Sequence, residues 1–201
     1  TRVEGDPDGV YVLFGADRSR AATNDFYRYS LGEDAWNRLD DVSGTDEAAD
    51  AVPPPRWKHA AVALDETRIL ITGGRDGSTV RADAWVLDTA DFSWTLLNTT
   101  HLPSMYRHGL AFDPPRNVAW IYGGLDESIV RYQSQLWRMD MSTNAVTEVS
   151  VDTTINPLPP RLASHAMEYV AQADAVLLWG GTCGDDSELH VYDPRENSWC
   201  R

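Results

Sequence analysis

Three histidines hold matched places in the chain: His59, His108 and His165 stand 14, 15 and 15 residues before the glycine pairs Gly73–Gly74, Gly123–Gly124 and Gly180–Gly181. Imidazole is a common metal ligand and general base, so the set invites a metal centre or a catalytic cluster. Metal ligands must converge within bonding distance, whereas residues holding one place in successive repeats are dispersed by the fold. They are expected to serve the core of each repeat by hydrogen bonding. Arg56, Arg107 and Arg161 stand close by. Guanidinium groups repeated around a fold can capture carboxylates. Local pairing with the abundant aspartates is the reading preferred here, since the spacing of these arginines from the histidines varies.

Other chemistry is thinner. The stretches "GDPDG" (5–9) and "DDVSGTDEAAD" (40–50) carry the carboxylates that calcium takes, but not the fixed alternation of a calcium loop. Turn chemistry and a solvated acidic loop account for them. No phosphate-cradling glycine loop, nucleophile elbow or zinc spacing appears. No catalytic residue, metal ligand or cofactor is assigned. Two alternatives stay open for Cys183 and Cys200: a disulfide, which would place the protein in an oxidising compartment, or two unrelated thiols. Asn98 opens an "NTT" triplet, a possible glycosylation site. Cysteine pair and triplet both point towards a secreted or cell-surface protein, with a cytoplasmic one as the alternative.

The elements that position these residues follow from composition and period. With 201 residues, 42% of them hydrophobic, the chain can bury a core. Eight tryptophans and eight tyrosines favour strands. A formal charge of −14 sets the surface against phosphate backbones and anionic lipid, so nucleic acid and membrane partners are not expected. No stretch is long and apolar enough to span a bilayer.

"ILITGG" (69–74) returns as "AWIYGG" (119–124) and "VLLWGG" (176–181), with a worn copy, "YVLFGA", at 11–16. Aligned on their first glycines, at 15, 73, 123 and 180, the copies keep a period near ~50 residues, which points to an array of strand-built repeats. Trp36, Trp94 and Trp199 follow in register, and Val146 takes the tryptophan's place in the third copy. Each repeat reads as four strands, a to d; in the second they are "KHAAVAL", "ILITGG", "DAWVLD" and "SWTLL". The first repeat supplies only b, c and d.

The arrangement resembles the kelch repeat, with its histidine in strand a, double glycine closing b, aromatic-rich c and tryptophan in d. The resemblance implies an all-β, kelch-type β-propeller segment of four-stranded antiparallel blades: a partial first blade over 1–41, then 56–97, 105–150 and 161–201. With four repeats and one strand missing, the expectation is part of a larger ring. Strands alternate in direction, so the long b–c and d–a connections share one face. Long loops on a rigid frame concentrate binding residues. The leading functional reading is therefore a non-catalytic module or scaffold that binds another protein through that face, with specificity from Arg18, Arg75, Asp76, Asp126, Glu127, Asp185 and Asp186. The alternatives are an enzyme at the propeller mouth, either a copper oxidase of the galactose-oxidase type or a hydrolase or lyase, and a structural segment of an extracellular assembly.

Overall fold

The computed structural model describes residues 6–39, 52–126, 131–151, 158–182 and 188–200. The chain divides into two compact units, Thr1–Asn98 and Thr99–Arg201. Among the described residues there is no helix long and apolar enough to cross a membrane.

The first unit holds two sheets. β1 (Gly9–Ala16), β2 (Ala22–Ser30) and β3 (Ala35–Arg38) form a three-stranded blade. β4 (Ala60–Ala63), β5 (Arg68–Thr72), β6 (Ala84–Asp88) and β7 (Trp94–Leu96) form a four-stranded one. In the second unit, β8 (Gly109–Asp113), β9 (Val118–Tyr122), β12 (Leu136–Asp140) and β13 (Val146–Glu148) make the third blade. A two-stranded ladder, β10 (Leu125–Asp126) with β11 (Arg131–Tyr132), stands between β9 and β12. β14 (Ala166–Val170), β15 (Ala175–Trp179), β16 (Leu189–Asp193) and β17 (Ser198–Cys200) make the fourth. All pairings within these sheets are antiparallel between neighbours in sequence, the order of a propeller blade.

Strand b is apolar without alternation because both of its faces are covered. Ile69, Leu70 and Ile71 of β5 are fully buried, and so are Val118, Ala119, Ile121 and Tyr122 of β9. β1 lies at the edge of its sheet, and there Val12 is 42% exposed. The first unit's core joins Tyr11, Leu13 and Phe26 to Ile69, Ile71, Trp85 and Leu87; the second joins Trp120, Tyr122 and Leu136 to Leu162, Leu178, Tyr192 and Trp199. Each core is thus a layer between two blades.

The glycine pair closes strand b for a steric reason. Gly74 has φ 93°, and a β-carbon there would lie 2.9 Å from that of His59; at Gly124, φ is 89° and the same 2.9 Å separates it from the β-carbon of His108. In the first blade Phe14 has φ 57° and Gly15 has φ 150°, and the ladder shifts register between Leu13 and Gly15. Gly15 N–H donates to the Arg56 carbonyl just as Gly124 N–H donates to that of Leu162. Gly15 therefore takes the second glycine position, not the first, and Phe14 takes the left-handed one before it.

Two further left-handed positions recur. Lys58, Arg107 and Ser164, at φ 56°, 59° and 57°, each precede the strand-a histidine. Asp34, Phe92, Asn144 and Asn197, at φ 51°, 59°, 60° and 48°, stand two residues before Trp36, Trp94, Val146 and Trp199.

Candidate functional site

His59 and His165 act through their rings. His59 lies edge-on to Phe14 with centroids 5.6 Å apart, and His165 edge-on to Tyr122 at 5.8 Å. His59 and His165 thus each reach from their own blade onto strand b of the preceding one. His59 is half-buried with its Nδ1 sealed from solvent, and burial, aided by the charge of Arg56, pushes its pKa down to about 4. His108 is buried. Among the described residues no three His, Cys, Asp or Glu side chains gather as metal ligands would.

Arg56 is fully buried and forms a fork with Asp83, two N···O contacts of 2.7 Å. It also donates to the carbonyls of Gly73 at 2.9 Å and Pro54 at 3.2 Å, tying the linker before strand a to the glycine turn. Burial pushes the Asp83 carboxyl up, but the hydrogen bonds from Arg56 and Trp85 outweigh it and hold the group below its ordinary value. This arginine is a structural clamp. Arg107 is half-buried at the left-handed position before His108.

Arg161 is different. It is exposed, and with Arg131, Tyr132, Gln133, Ser134 and Gln135 it lines a recess of about 170 Å³. The b–c connection of the third blade and the linker leading into the fourth build this recess together. Its frame is backbone: Gln133 N–H donates to the Gly124 carbonyl at 2.9 Å, and Leu162 N–H donates to that of Gln133 at 3.2 Å. Asp126 stands opposite Arg131 across the β10–β11 ladder. Among the described residues neither Arg131 nor Arg161 forms an ion pair, and none of those lining the recess is acidic. Guanidinium, amide and hydroxyl groups are donors of the kind that carboxylates accept from.

The remaining loop charges scatter. Arg18 is exposed on the β1–β2 loop, whose turn Asp17 holds by accepting from Ser19 and Ala21 N–H. Asp76 accepts from Ser78 and Thr79 N–H and pairs with Arg81 at 2.5 Å, so its charge is spent within its own turn. Arg75 exchanges backbone hydrogen bonds with Trp57 and donates by its guanidinium to the Gly77 carbonyl. Glu127, Asp185, Asp186 and the 40–50 run lie outside the described residues. Asn98 is exposed just after β7. Cys200 is an exposed free cysteine; the disulfide that would join it to Cys183 is not present among the described residues, and Cys183 lies outside them. Arg131, Tyr132, Gln133 and Gln135 were not singled out by the sequence; their signal is an arginine and a run of neutral polar residues in an otherwise acidic chain.

A profile described as the KLHDC2/KLHL20/DRC7 Kelch-repeats domain matches residues 7–201. The chain belongs to the kelch-repeat family. Among kelch-containing and other relatives, it is 26% identical over 204 residues to the dynein alpha chain of the flagellar outer arm from Chlamydomonas reinhardtii, covering 94% of this chain and 4% of that protein. It is 24% identical to acyl-CoA-binding domain-containing protein 4 of Arabidopsis thaliana, covering 96% of this chain and 29% of the relative. To the Rab9 effector protein with kelch motifs of Bos taurus it is 27% identical, covering 66% of this chain and 36% of the relative. The chain thus spans well under half the length of each. Kelch repeats generally mediate protein–protein interaction, and this kelch segment carries β-propeller blades.

Proposed function

We propose that this kelch segment is a non-catalytic module that binds another protein through its b–c and d–a connections, with the Arg131–Arg161 recess receiving an acidic segment of the partner. The observation that carries this reading is the recess itself: two exposed guanidinium groups that form no ion pair among the described residues, in a chain of formal charge −14 where Arg28, Arg38, Arg56, Arg68, Arg81, Arg116, Arg138 and Arg195 pair with aspartates. An exposed arginine that no described carboxylate engages is available to a carboxylate from outside. A rigid backbone frame beneath exposed donors also limits the ordering cost of binding.

The test is fluorescence anisotropy with a labelled Glu-rich peptide, in wild type and in Arg131→Glu/Arg161→Glu. The reading expects measurable binding that weakens about tenfold or more in the double variant, as loss of two charge-assisted contacts implies. Arg18→Glu serves as the control and should bind nearly as wild type. Equal binding by all three proteins would overturn it. A secreted or cell-surface setting is supported by the exposed Asn98 triplet alone, and a mass decrease on enzymatic deglycosylation is its test.

A further inference from the structure

One serine stands among the donors of the recess. Ser134 lies between β11 and β12, half-buried, in the lining that holds Arg131 and Arg161. Its N–H donates to Gln135 Oε1 at 3.3 Å, and among the described residues its Oγ makes no hydrogen bond. Arg131 precedes it by three residues. Arg161 is brought beside it by the backbone: Leu162 N–H donates to the Gln133 carbonyl at 3.2 Å, which joins the Arg161–Leu162 peptide group to the Gln133–Ser134 one.

A guanidinium three residues before a serine is a charge that an acidic kinase cleft can read. The same spacing recurs at Ser78, Ser164 and Ser198, after Arg75, Arg161 and Arg195, and the structure separates them. Ser198 belongs to β17, and Arg195 is engaged by Asp193 and Asp174. Ser78 follows Asp76, whose carboxylate accepts from the Ser78 N–H. Ser164 has a left-handed φ of 57° behind the fully buried Leu162 and Ala163, which takes it out of the extended backbone a kinase cleft binds. Around Ser134, residues 128–139 include no aspartate or glutamate. Residues 133–135 belong to no strand, and the ladder before them has two residue pairs, so a local opening can present the segment.

We infer that Ser134 is a phosphorylation site for a kinase that reads Arg131, and that the phosphoryl group closes the recess to acidic partners. In this step Ser134 Oγ bonds to the γ-phosphorus of a nucleoside triphosphate and the bond from that phosphorus to the β–γ bridging oxygen breaks. The nucleoside diphosphate leaves, and the hydroxyl proton passes to the kinase's base. The product carries about −1.5 to −2 charges and three acceptor oxygens beside two guanidinium groups. The recess, about 170 Å³, is several times the ~30 Å³ share of one water molecule and has room for the group. Once the arginines pair within the recess, an acidic segment from outside meets like charge. That consequence rests on the recess receiving an acidic partner segment; the modification itself does not.

The test incubates the full natural chain with ATP and a purified calmodulin-dependent protein kinase, which selects an arginine three residues before serine, and maps phosphate by mass spectrometry. Ser134 should fill about tenfold faster than Ser78, Ser164 or Ser198, and about tenfold slower in Arg131→Gln. No phosphate on Ser134, or faster filling of another of these serines, overturns the proposal. Phosphoserine ionises a second time near pH ~6, and in phosphorus-31 NMR of the modified protein that midpoint should lie about half a unit or more lower. It should rise again in Arg161→Gln, which keeps the arginine that the kinase reads; an unshifted midpoint in wild type contradicts capture by the recess. The Glu-rich peptide should bind the phosphorylated protein about tenfold more weakly than the unmodified one. Equal binding overturns the closing of the recess. If the unmodified protein fails to bind that peptide, the acidic-partner reading falls, while the phosphate map and its titration still decide the site.

Discussion

The imidazole of His165 stands directly against Gly109 of the neighbouring blade, so closely that a β-carbon on that glycine would lie 2.4 Å from Nε2 and 2.8 Å from the β-carbon of Met167. A strand residue without a side chain is what lets the histidine wedge between blades. Gly109→Ala should therefore destabilise the second unit by overpacking, by about 1–3 kcal/mol. At Gly32 the nearest atom to an added β-carbon is Asp8 Oδ2 at 3.8 Å, so Gly32→Ala should stay within roughly 0.5 kcal/mol of wild type. Urea unfolding of the two variants checks the contrast.

The Arg56–Asp83 fork makes a second prediction. Asp83→Ala leaves the guanidinium of Arg56 fully buried without its counter-ion, which is expected to cost about 3 kcal/mol. Arg56→Met in the same protein removes the stranded charge and should recover part of that loss, a double-mutant coupling readable from the urea midpoints.

Stability should also fall with pH in two separate windows. His59 titrates at about 4 when folded and near 6.5 when unfolded, so the unfolded chain binds the proton first. Its contribution is whole above pH 6.5 and is lost between there and about 4, by up to about 3 kcal/mol. His59→Phe should flatten that stretch of the pH profile while leaving the acid limb in place. Asp83 has its pKa lowered on folding, so its contribution is present above the ordinary aspartate range and is lost as pH falls through the lower folded value. Thermal melts from pH 8 to pH 3 measure both windows.

Tyr122 offers a smaller effect. Its hydroxyl donates to the carbonyls of Pro159 and Pro160 at 2.8 and 3.0 Å, inside the second unit's core. Tyr122→Phe keeps the ring contacts with His165 and Trp199 and should cost about 1 kcal/mol, seen as a modest loss in thermal midpoint.

The strands of each repeat could be read in the sequence because the period repeats a local pattern. "ILITGG" became β5 (Arg68–Thr72) followed by its glycine turn, and "ELHVYD" became β16 (Leu189–Asp193). What depends on a neighbour could not be read in the same way. Trp36 and Trp199 hold the same place in their repeats yet are 58% and 1% exposed, since only Trp199 packs on a preceding blade's Tyr122. Phe14 at a left-handed backbone position violates residue preference, and only the ladder shift reveals it. The Arg56–Asp83 fork joins residues 27 apart, and the β10–β11 ladder interrupts a connection that carries no clear alternation. The recess followed from these: Arg161 stood out by its place in the repeat, but the lining from 131 to 135 became a site only once the linker lay against it.

The most direct test of the central claim, binding through the b–c and d–a connections, is a hydrogen-exchange footprint. A peptide selected from a random display library against the folded protein would be added, and backbone exchange compared with and without it. Slowed exchange at 131–135 and 158–163, with none at the a–b and c–d turns 65–68, 114–117, 171–174 and 193–197, is the predicted result. Protection concentrated on those turns, with the Arg131–Arg161 recess unchanged, would contradict it.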